Sequence, residues 1–311
     1  MDFGTLLGLA QSAAELGLIC SLTALSLYLS YSMLNVCDLS TDGCFTLGAV
    51  VGANVSLNGH PFLALPAAML AGMLSGFVTG FLQTKMGVNS LLAGIIVNTA
   101  LYSVNVAAMD GASLIPLNKA DTVFTKAKGL LEGSLIEEQY KLLAVLVIVA
   151  AAVAVLVAFL KTKLGMSIRC AGDNPDMVRS SSINIVHMTI IGLCASNALT
   201  GLSGCLMAQA QKSVDINLGN GMLTIALASL LIGRTLMGRG GLALGGVGGV
   251  VGAVIFRLVY AAALRLDMPA FMLKAVSSVI VVAAISLPYL KASWEVLLRK
   301  IRHKRRGPAD A

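Results

Sequence analysis

Eight stretches of the sequence contain no Asp, Glu, Lys or Arg, and most are long enough to cross a membrane. They are residues 16–37, 43–84, 86–109, 142–160, 188–211, 216–233, 240–256 and 275–290. A spanning helix needs about 20 mostly apolar residues, and only helices or closed barrels pair all backbone groups in lipid. The second stretch has twice that length, and the turn-forming sequence Asn58–Pro61 divides it. The pattern predicts an all-α membrane protein.

The composition supports the same fold class. Hydrophobic residues make up 57% of the chain and charged residues 12%, whereas a soluble domain carries about 25% charged residues. These values exclude the soluble enzyme classes, and they also exclude disorder, which needs low hydrophobicity. The 32 glycines are typical of membrane helices, because small residues let such helices approach closely.

The charge-free stretches predict a polytopic bundle of about nine membrane segments within one domain, residues 1–311. The predicted segments are 14–35, 43–57, 61–84, 88–108, 140–160, 188–210, 221–237, 241–264 and 269–290. Segments 43–57 and 221–237 are short for a spanning helix, so we expect them to dip in or bend. Residues 1–13 either extend the first segment or form an interfacial helix.

The distribution of basic residues predicts the orientation. With the N-terminus outside, 14 Lys and Arg residues face the cytoplasm and seven face outwards, as the positive-inside rule requires. The loop 161–187 and the basic tail 291–311 are then cytoplasmic, and the loop 110–139 is external. The net charge of +7 is concentrated in that tail, which indicates a membrane-flanking segment and no nucleic-acid partner.

Neither a catalytic residue nor a metal site is predicted. The six cysteines contain no C-x-x-C pair, and metal sites need clustered ligands. The sequence Thr200–Cys205 contains G-x-S-G, but an intramembrane serine protease needs a later membrane histidine to activate its serine. The histidines are His60, His187 and His303, and none lies in a predicted span. Gly201, Ser203 and Gly204 are expected to form a helix contact.

The glycine-rich run Gly238–Ala253 does not predict a nucleotide site, since it lacks G-x-x-x-x-G-K-[ST] and no strand pattern precedes it. Its glycines recur every four residues, as do Gly72, Gly76 and Gly80. This spacing forms one flat helix face and predicts close helix packing. We therefore expect no ATP site in this chain.

The cytoplasmic loop contains a helix start. Asn174 is suited to the N-cap, Pro175 to the first helical position and Asp176 to the first turn. These residues predict a short helix from Pro175 to about Ser182. By itself the pattern leaves open whether this helix docks on a soluble partner or merely connects two spans.

Two polar breaks precede the two short segments. The first contains Asp38, Ser40, Thr41, Asp42 and Gly43, and the second is Asp215–Gly221, which includes Asn220. Paired interrupted segments in the two halves of a transporter indicate internal repeats around a pathway, and two ordinary loops are the alternative.

Ionisable residues inside the predicted spans are few. Arg257 lies within a span and either lines the pathway or snorkels outwards. Lys274 lies at a similar depth in the next span, where it can also snorkel outwards. No pair of membrane acids is present in the sequence, which argues against a proton-driven carrier.

Three blocks of sequence resemble the permease subunits of ABC importers of the branched-chain amino-acid and ribose type. They are Asn35–Ala53, the stretch Thr162–Asn184 and the glycine-rich block Ala226–Ile255. The second block resembles the family's coupling segment, with Gly165, Arg169, Asn174, Ile183 and Asn184 matching. Ser182 and Arg234 stand where the family commonly has Gly.

The resemblance implies functions for these residues. The coupling segment would dock on a separate ATPase, which binds ATP and Mg, so this chain needs no cofactor. The residues implied in coupling are Arg169, Asn174, Pro175, Asp176, Met177, Val178 and Arg179. The residues implied near the translocation pathway are Asp38, Ser40, Thr41, Asp42, Gly43, Asn220 and Arg257.

The resemblance also implies an importer at the cytoplasmic membrane. A periplasmic or lipid-anchored binding protein would deliver a small solute, expected to be an aromatic or branched-chain amino acid, to a pair of permease subunits. We expect these to be two copies of this chain, and a pair of two different permeases is the alternative. The alternative is a secondary carrier driven by an ion gradient. A membrane enzyme is a third class, for which we find no converging catalytic side chains in the sequence.

Overall fold

The structure is a computed structural model that describes residues 3–118, 120–131, 139–238 and 241–264, with residues 275, 278–283 and 286. The helices are α1 (Phe3–Leu27), α2 (Thr41–Leu57), α3 (Pro61–Thr84), α4 (Ser90–Ala108), α5 (Val123–Leu131), α6 (Tyr140–Lys161), α7 (Lys163–Asp173), α8 (Pro175–Ser180), α9 (Ile185–Gln211), α10 (Met222–Met237) and α11 (Leu242–Leu264). A π-helical turn, Tyr28–Met33, continues α1. The strands β1 (Leu114–Pro116) and β2 (Ser213–Asp215) pair antiparallel, with Ile115 opposite Val214.

Six helices in the described part of the chain are long and apolar enough to cross a membrane. They are the α1 helix with its π-helical turn, and α3, α4, α6, α9 and α11. The predicted segments 43–57 and 221–237 correspond to α2 and α10, which are shorter, at 17 and 16 residues. The predicted segment 269–290 and the tail 291–311 lie outside the described residues, apart from a few positions of the former. Residues 3–13 belong to α1 itself.

The bundle is built around α1 and α9. In each of these helices 78% of the most apolar stretch is buried, whereas the corresponding value for α6 is 22%. Exposed apolar side chains such as Leu74 of α3 and Val155 of α6 lie on the outer surface, where a bilayer would cover them. In the centre, Ser26 of α1 hydrogen-bonds with Ser196 at 2.8 Å and accepts from Thr200 at 2.7 Å. Such bonds join membrane helices where water is absent.

Glycines set the spacing between the central helices. A Cβ on Gly72 or Gly76 of α3 would collide with backbone carbonyls of α9, and one on Gly204 would collide with the Phe45 carbonyl of α2. Ser203 donates to the Ile19 carbonyl at 2.7 Å. The predicted helix contacts of Gly72, Gly76, Ser203 and Gly204 are therefore confirmed, and their reason is backbone-to-backbone approach.

The connections between helices lie at opposite ends of the bundle. The β1–β2 pair and α5 lie near the C-terminal end of α9, where the Val123 N–H donates to Gln209 at 2.8 Å. The helices α7 and α8 connect the C-terminal end of α6 to the N-terminal end of α9. The predicted cytoplasmic loop 161–187 is thus mostly helical.

Candidate functional site

The first polar break brings the chain back into the bundle. Helix α2 runs in the same direction as α9, because Cys44 contacts Asn197 and a Cβ on Gly48 or Gly52 would meet Gly201 or Cys205. Asn197 lies about 18 Å along α9 from its first residue, at 1.5 Å per residue. An apolar bilayer core is about 30 Å thick. Helix α2 therefore begins deep inside the bundle, after a stretch without helix at residues 34–40.

The second polar break meets the first. The carboxylate of Asp42, in the first turn of α2, accepts from the Gly221 N–H at 3.0 Å and from the Leu223 N–H at 2.8 Å. The Gly219 N–H donates to Thr46 Oγ1 at 3.1 Å. Asp42 thus caps the N-terminus of α10, where a negative charge interacts favourably with the helix dipole. The N-termini of α2 and α10 form one junction, defined by Asp42, Thr46, Gly219, Gly221 and Leu223.

A buried cluster of polar side chains holds the start of α2. Asp38 is buried, and its Oδ1 accepts from the Ser40 N–H at 2.8 Å and from Ser40 Oγ at 2.6 Å. Its Oδ2 accepts from Asn197 Nδ2 at 2.7 Å. Thr79 of α3 donates to Ser40 Oγ at 3.3 Å, and Thr41 Oγ1 donates to the Asp38 carbonyl at 2.9 Å. Buried polar groups are costly unless paired, and this cluster pairs the carboxylate three times.

The predicted pathway residues therefore divide into two groups. Asp42 and Asn220 lie at the open side of the junction, where Asp42 is half-buried and Asn220 is exposed. Asp38, Ser40, Thr41 and Gly43 are buried. The second group supports the helix start and is not exposed to a solute in this conformation.

Arg257 lies away from both groups. Its guanidinium contacts Cys20 Sγ of α1 at 3.0 Å and lies over the Tyr260 ring, 5.8 Å from the centroid. Within the described residues, no hydrogen bond connects it to the junction. Its predicted place in the pathway stays a prediction. Lys274 lies outside the described residues.

The segment predicted to couple to an ATPase has the predicted local structure. Asn174 caps α8, accepting from the Met177 N–H at 3.1 Å, and Pro175 is the first helical residue. The helix ends at Ser180, two residues before the predicted end, and Ser182 has a φ of 60°. Val178 is buried against the bundle at 1% exposure, whereas Met177 is 54% exposed. The outward side of α8 therefore presents an apolar side chain between Asp176 and Arg179.

Arg169 lies on the preceding helix, α7. It lines a cavity of about 630 Å³ beside Ser32 and Asn35, at the end of the π-helical turn. It is not on α8, so the predicted coupling residues occupy two adjacent helices.

Sequence reasoning missed Asn197 and Thr79 as members of the polar cluster. Both are polar residues in apolar helices, and both are at least 99% buried. The signal available was Asn197 in the middle of α9, since a buried amide needs partners. Nothing in the sequence near α9 indicates that its partner is Asp38.

The family follows from comparison with known proteins. The model of a family described as the branched-chain amino acid transport system permease component matches residues 10–285. The chain belongs to this permease family. The permease is 35% identical over 293 residues to the tyrosine transport system permease protein of Clostridioides difficile (strain R20291), with 93% of this chain and 95% of that protein covered. It is 30% identical over 223 residues to an uncharacterised protein of Rickettsia prowazekii (strain Madrid E), covering 72% and 76%. No solved structure matches it.

Family and fold agree on the location of the permease. Its six apolar helices and its membership of a transport permease family make it a multi-pass protein of the cell membrane that acts in amino-acid transport. The resemblance inferred from its three sequence blocks is confirmed.

Proposed function

We propose that the permease is the membrane subunit of an ATP-driven importer that takes an amino acid, with tyrosine as the first candidate, into the cytoplasm. The observation that carries this proposal is the near-full-length similarity to a tyrosine transport system permease protein. The chain would act as one domain, residues 1–311, in a homodimer. A separate ATPase would bind ATP and Mg, and a binding protein would deliver the solute.

The junction of α2 and α10 supports a pathway at this place. Two helices begin inside the bundle, and the N-terminus of α10 is held by a side chain from α2. Transporters commonly place discontinuous helices of this kind at the substrate site, with repeats on either side. We propose that the two breaks are the paired interruptions of two internal repeats, and that the exposed side of the junction borders the translocation pathway.

The outward face of α8 supports a docking function. Asp176, Met177 and Arg179 are exposed on a short helix whose Val178 is anchored in the bundle. We propose that this face contacts the ATPase, so that movement of the ATPase is transmitted to α9 and the bundle. Alternating access then arises as a population shift between two packed states.

The first test is purification of the tagged permease from its native membranes in mild detergent, followed by mass spectrometry and an ATPase assay. The complex is then placed in liposomes with the binding protein, and uptake of labelled L-tyrosine is measured with and without ATP. Uptake that needs ATP supports the proposal. Uptake by the permease alone under an ion gradient would contradict it and establish the secondary carrier.

A matched pair of variants tests the docking face. Met177→Asp changes an apolar side chain on α8 that is 54% exposed, and Met86→Asp changes one between α3 and α4, outside the implied coupling segment, that is 63% exposed. We expect Met177→Asp to reduce co-purification of the ATPase and tyrosine uptake at least tenfold, whereas Met86→Asp retains both. Equal effects of the two variants would contradict the assignment of α8.

A further inference from the structure

A second cavity lies apart from the junction, between α1, α5, α6 and α9. It has a volume of about 230 Å³ and is lined by Ser12, Glu15, Ile19, Phe124, Lys141 and Val145, among others. These positions lie in the middle of α1, near the N-terminal end of α6 and beside the C-terminal end of α9. In the orientation predicted from the basic residues, the N-terminal end of α6 and the C-terminal end of α9 lie on the extracytoplasmic side, so we place the cavity towards that side.

Opposite charges line this cavity without pairing. The carboxylate of Glu15 accepts a hydrogen bond from the Gln11 amide at 3.4 Å, a long distance for such a bond. Among the described residues, neither Glu15 nor Lys141 forms an ion pair within 4.0 Å, whereas Lys126 and Asp121, nearby in sequence, do so at 2.9 Å. Two charges of opposite sign, neither of them in an ion pair within the described residues, thus lie on the walls of one pocket.

Apart from Ser12 and Gln211, the rest of the lining is apolar. Ile19 and Val145 are each 1% exposed and Phe124 is 2% exposed, so the cavity wall is fixed by packed side chains. Small-molecule pockets usually combine such apolar walls with a few polar groups, at volumes of about 300–1,000 Å³. A cavity of about 230 Å³ therefore suits a ligand smaller than a typical drug.

We propose that this cavity binds a free zwitterionic amino acid with an apolar or aromatic side chain, as an entry site. Lys141 would hold the α-carboxylate, Glu15 the α-ammonium group, and Phe124 with its apolar neighbours the side chain. Charge-assisted hydrogen bonds of this kind are about twice as strong as neutral ones. The function as an entry site rests on the proposed transport function, but binding itself does not.

The test is equilibrium dialysis of labelled L-tyrosine against the purified permease, without ATPase or binding protein. Tyramine, which lacks the carboxylate, and 3-(4-hydroxyphenyl)propionate, which lacks the amine, serve as competitors. We expect saturable tyrosine binding and at least tenfold weaker competition by both analogues. No saturable binding, or analogues that compete as strongly as unlabelled L-tyrosine, would overturn the proposal.

Variants assign the two charges. In Lys141→Met, tyrosine and tyramine should compete equally, because the carboxylate has lost its partner; in Glu15→Gln, tyrosine and the propionate should do so. Lys141→Arg, which retains the charge, should retain the wild-type preference, and Lys128→Met on the exposed side of α5 is the matched control. Unchanged preferences in the first two variants would overturn the assignment of the two charges.

The binding and uptake measurements on the wild-type permease separate the two proposals. Normal tyrosine uptake without saturable binding to the permease alone refutes this site only. Saturable binding without uptake by the assembled complex refutes the transport function.

Discussion

The helices α2 and α10 both begin inside the protein, but their first turns are held in different ways. Helix α2 follows a buried turn in which Ser40 donates two hydrogen bonds to the carboxylate of Asp38, two residues earlier in the chain. Asn197 of α9 donates a third hydrogen bond to the same carboxylate. Helix α10 begins after the exposed Gly221, and Asp42 of α2 caps it from 179 residues away in the sequence. One start is assembled largely from its own segment, and the other depends on a long-range contact.

This difference indicates which of the two starts is easier to release. The α2 start would expose a buried carboxylate if it opened, which is costly. The α10 start would lose two hydrogen bonds at a partly exposed site, where water can replace them. We therefore expect α10 to move relative to α2 during transport.

The largest effect is expected from Asp38→Ala, which breaks the buried start. The change leaves the Ser40 and Asn197 donors without their acceptor, and each unsatisfied buried group costs about 1–3 kcal/mol. We expect a total loss of about 3 kcal/mol or more, read as a large decrease in the temperature at which the detergent-solubilised protein stops eluting as a single peak. Asp38→Asn retains one acceptor oxygen and should lose less. A normal elution profile for Asp38→Ala would contradict this account of the cluster.

An intermediate and local effect is expected from Asp42→Ala. Loss of a helix cap costs about 0.5–2 kcal/mol, and the cost should appear only in α10. Hydrogen exchange should become faster at the amides of residues 221–226, while those of residues 44–49 in α2 stay protected. Asp42→Asn, which retains an acceptor without the charge, serves as the comparison variant. Equal loss of protection in both helices would remove the distinction drawn between them.

The smallest effect on stability is expected from Asn220→Ala. Asn220 is exposed and donates to Asn217 Oδ1 at 3.1 Å, and exposed substitutions usually change stability by less than about 0.5 kcal/mol. Because Asn220 lies beside the junction, we expect the tyrosine uptake rate to change while the unfolding temperature does not. Exposed Asn58→Ala, at the turn after α2, is the control. Identical uptake in both variants would remove Asn220 from the pathway.

The sequence by itself predicted the membrane fold class, because charge-free length and the cost of unpaired backbone in lipid leave few alternatives. It also located most helices, including the short α2 and α10. The cap of α8 was predicted because Asn174, Pro175 and Asp176 act within one turn of the chain. The family of the protein was predicted from three blocks of residues spread along the chain.

Only the tertiary structure brought the two polar breaks together. Asp42 and Gly221, or Asp38 and Asn197, are far apart in sequence, and no local pattern states which polar group satisfies which. The packing of α2 along α9, which glycines make close, brings Asp38 to Asn197, and the close approach of Gly219 to the Asp42 carbonyl brings the start of α10 to α2. The cavity lined by Glu15 and Lys141 was missed for the same reason, since four separate segments form it. Local chemistry determines where a helix starts, and packing between distant segments determines what that start can bind.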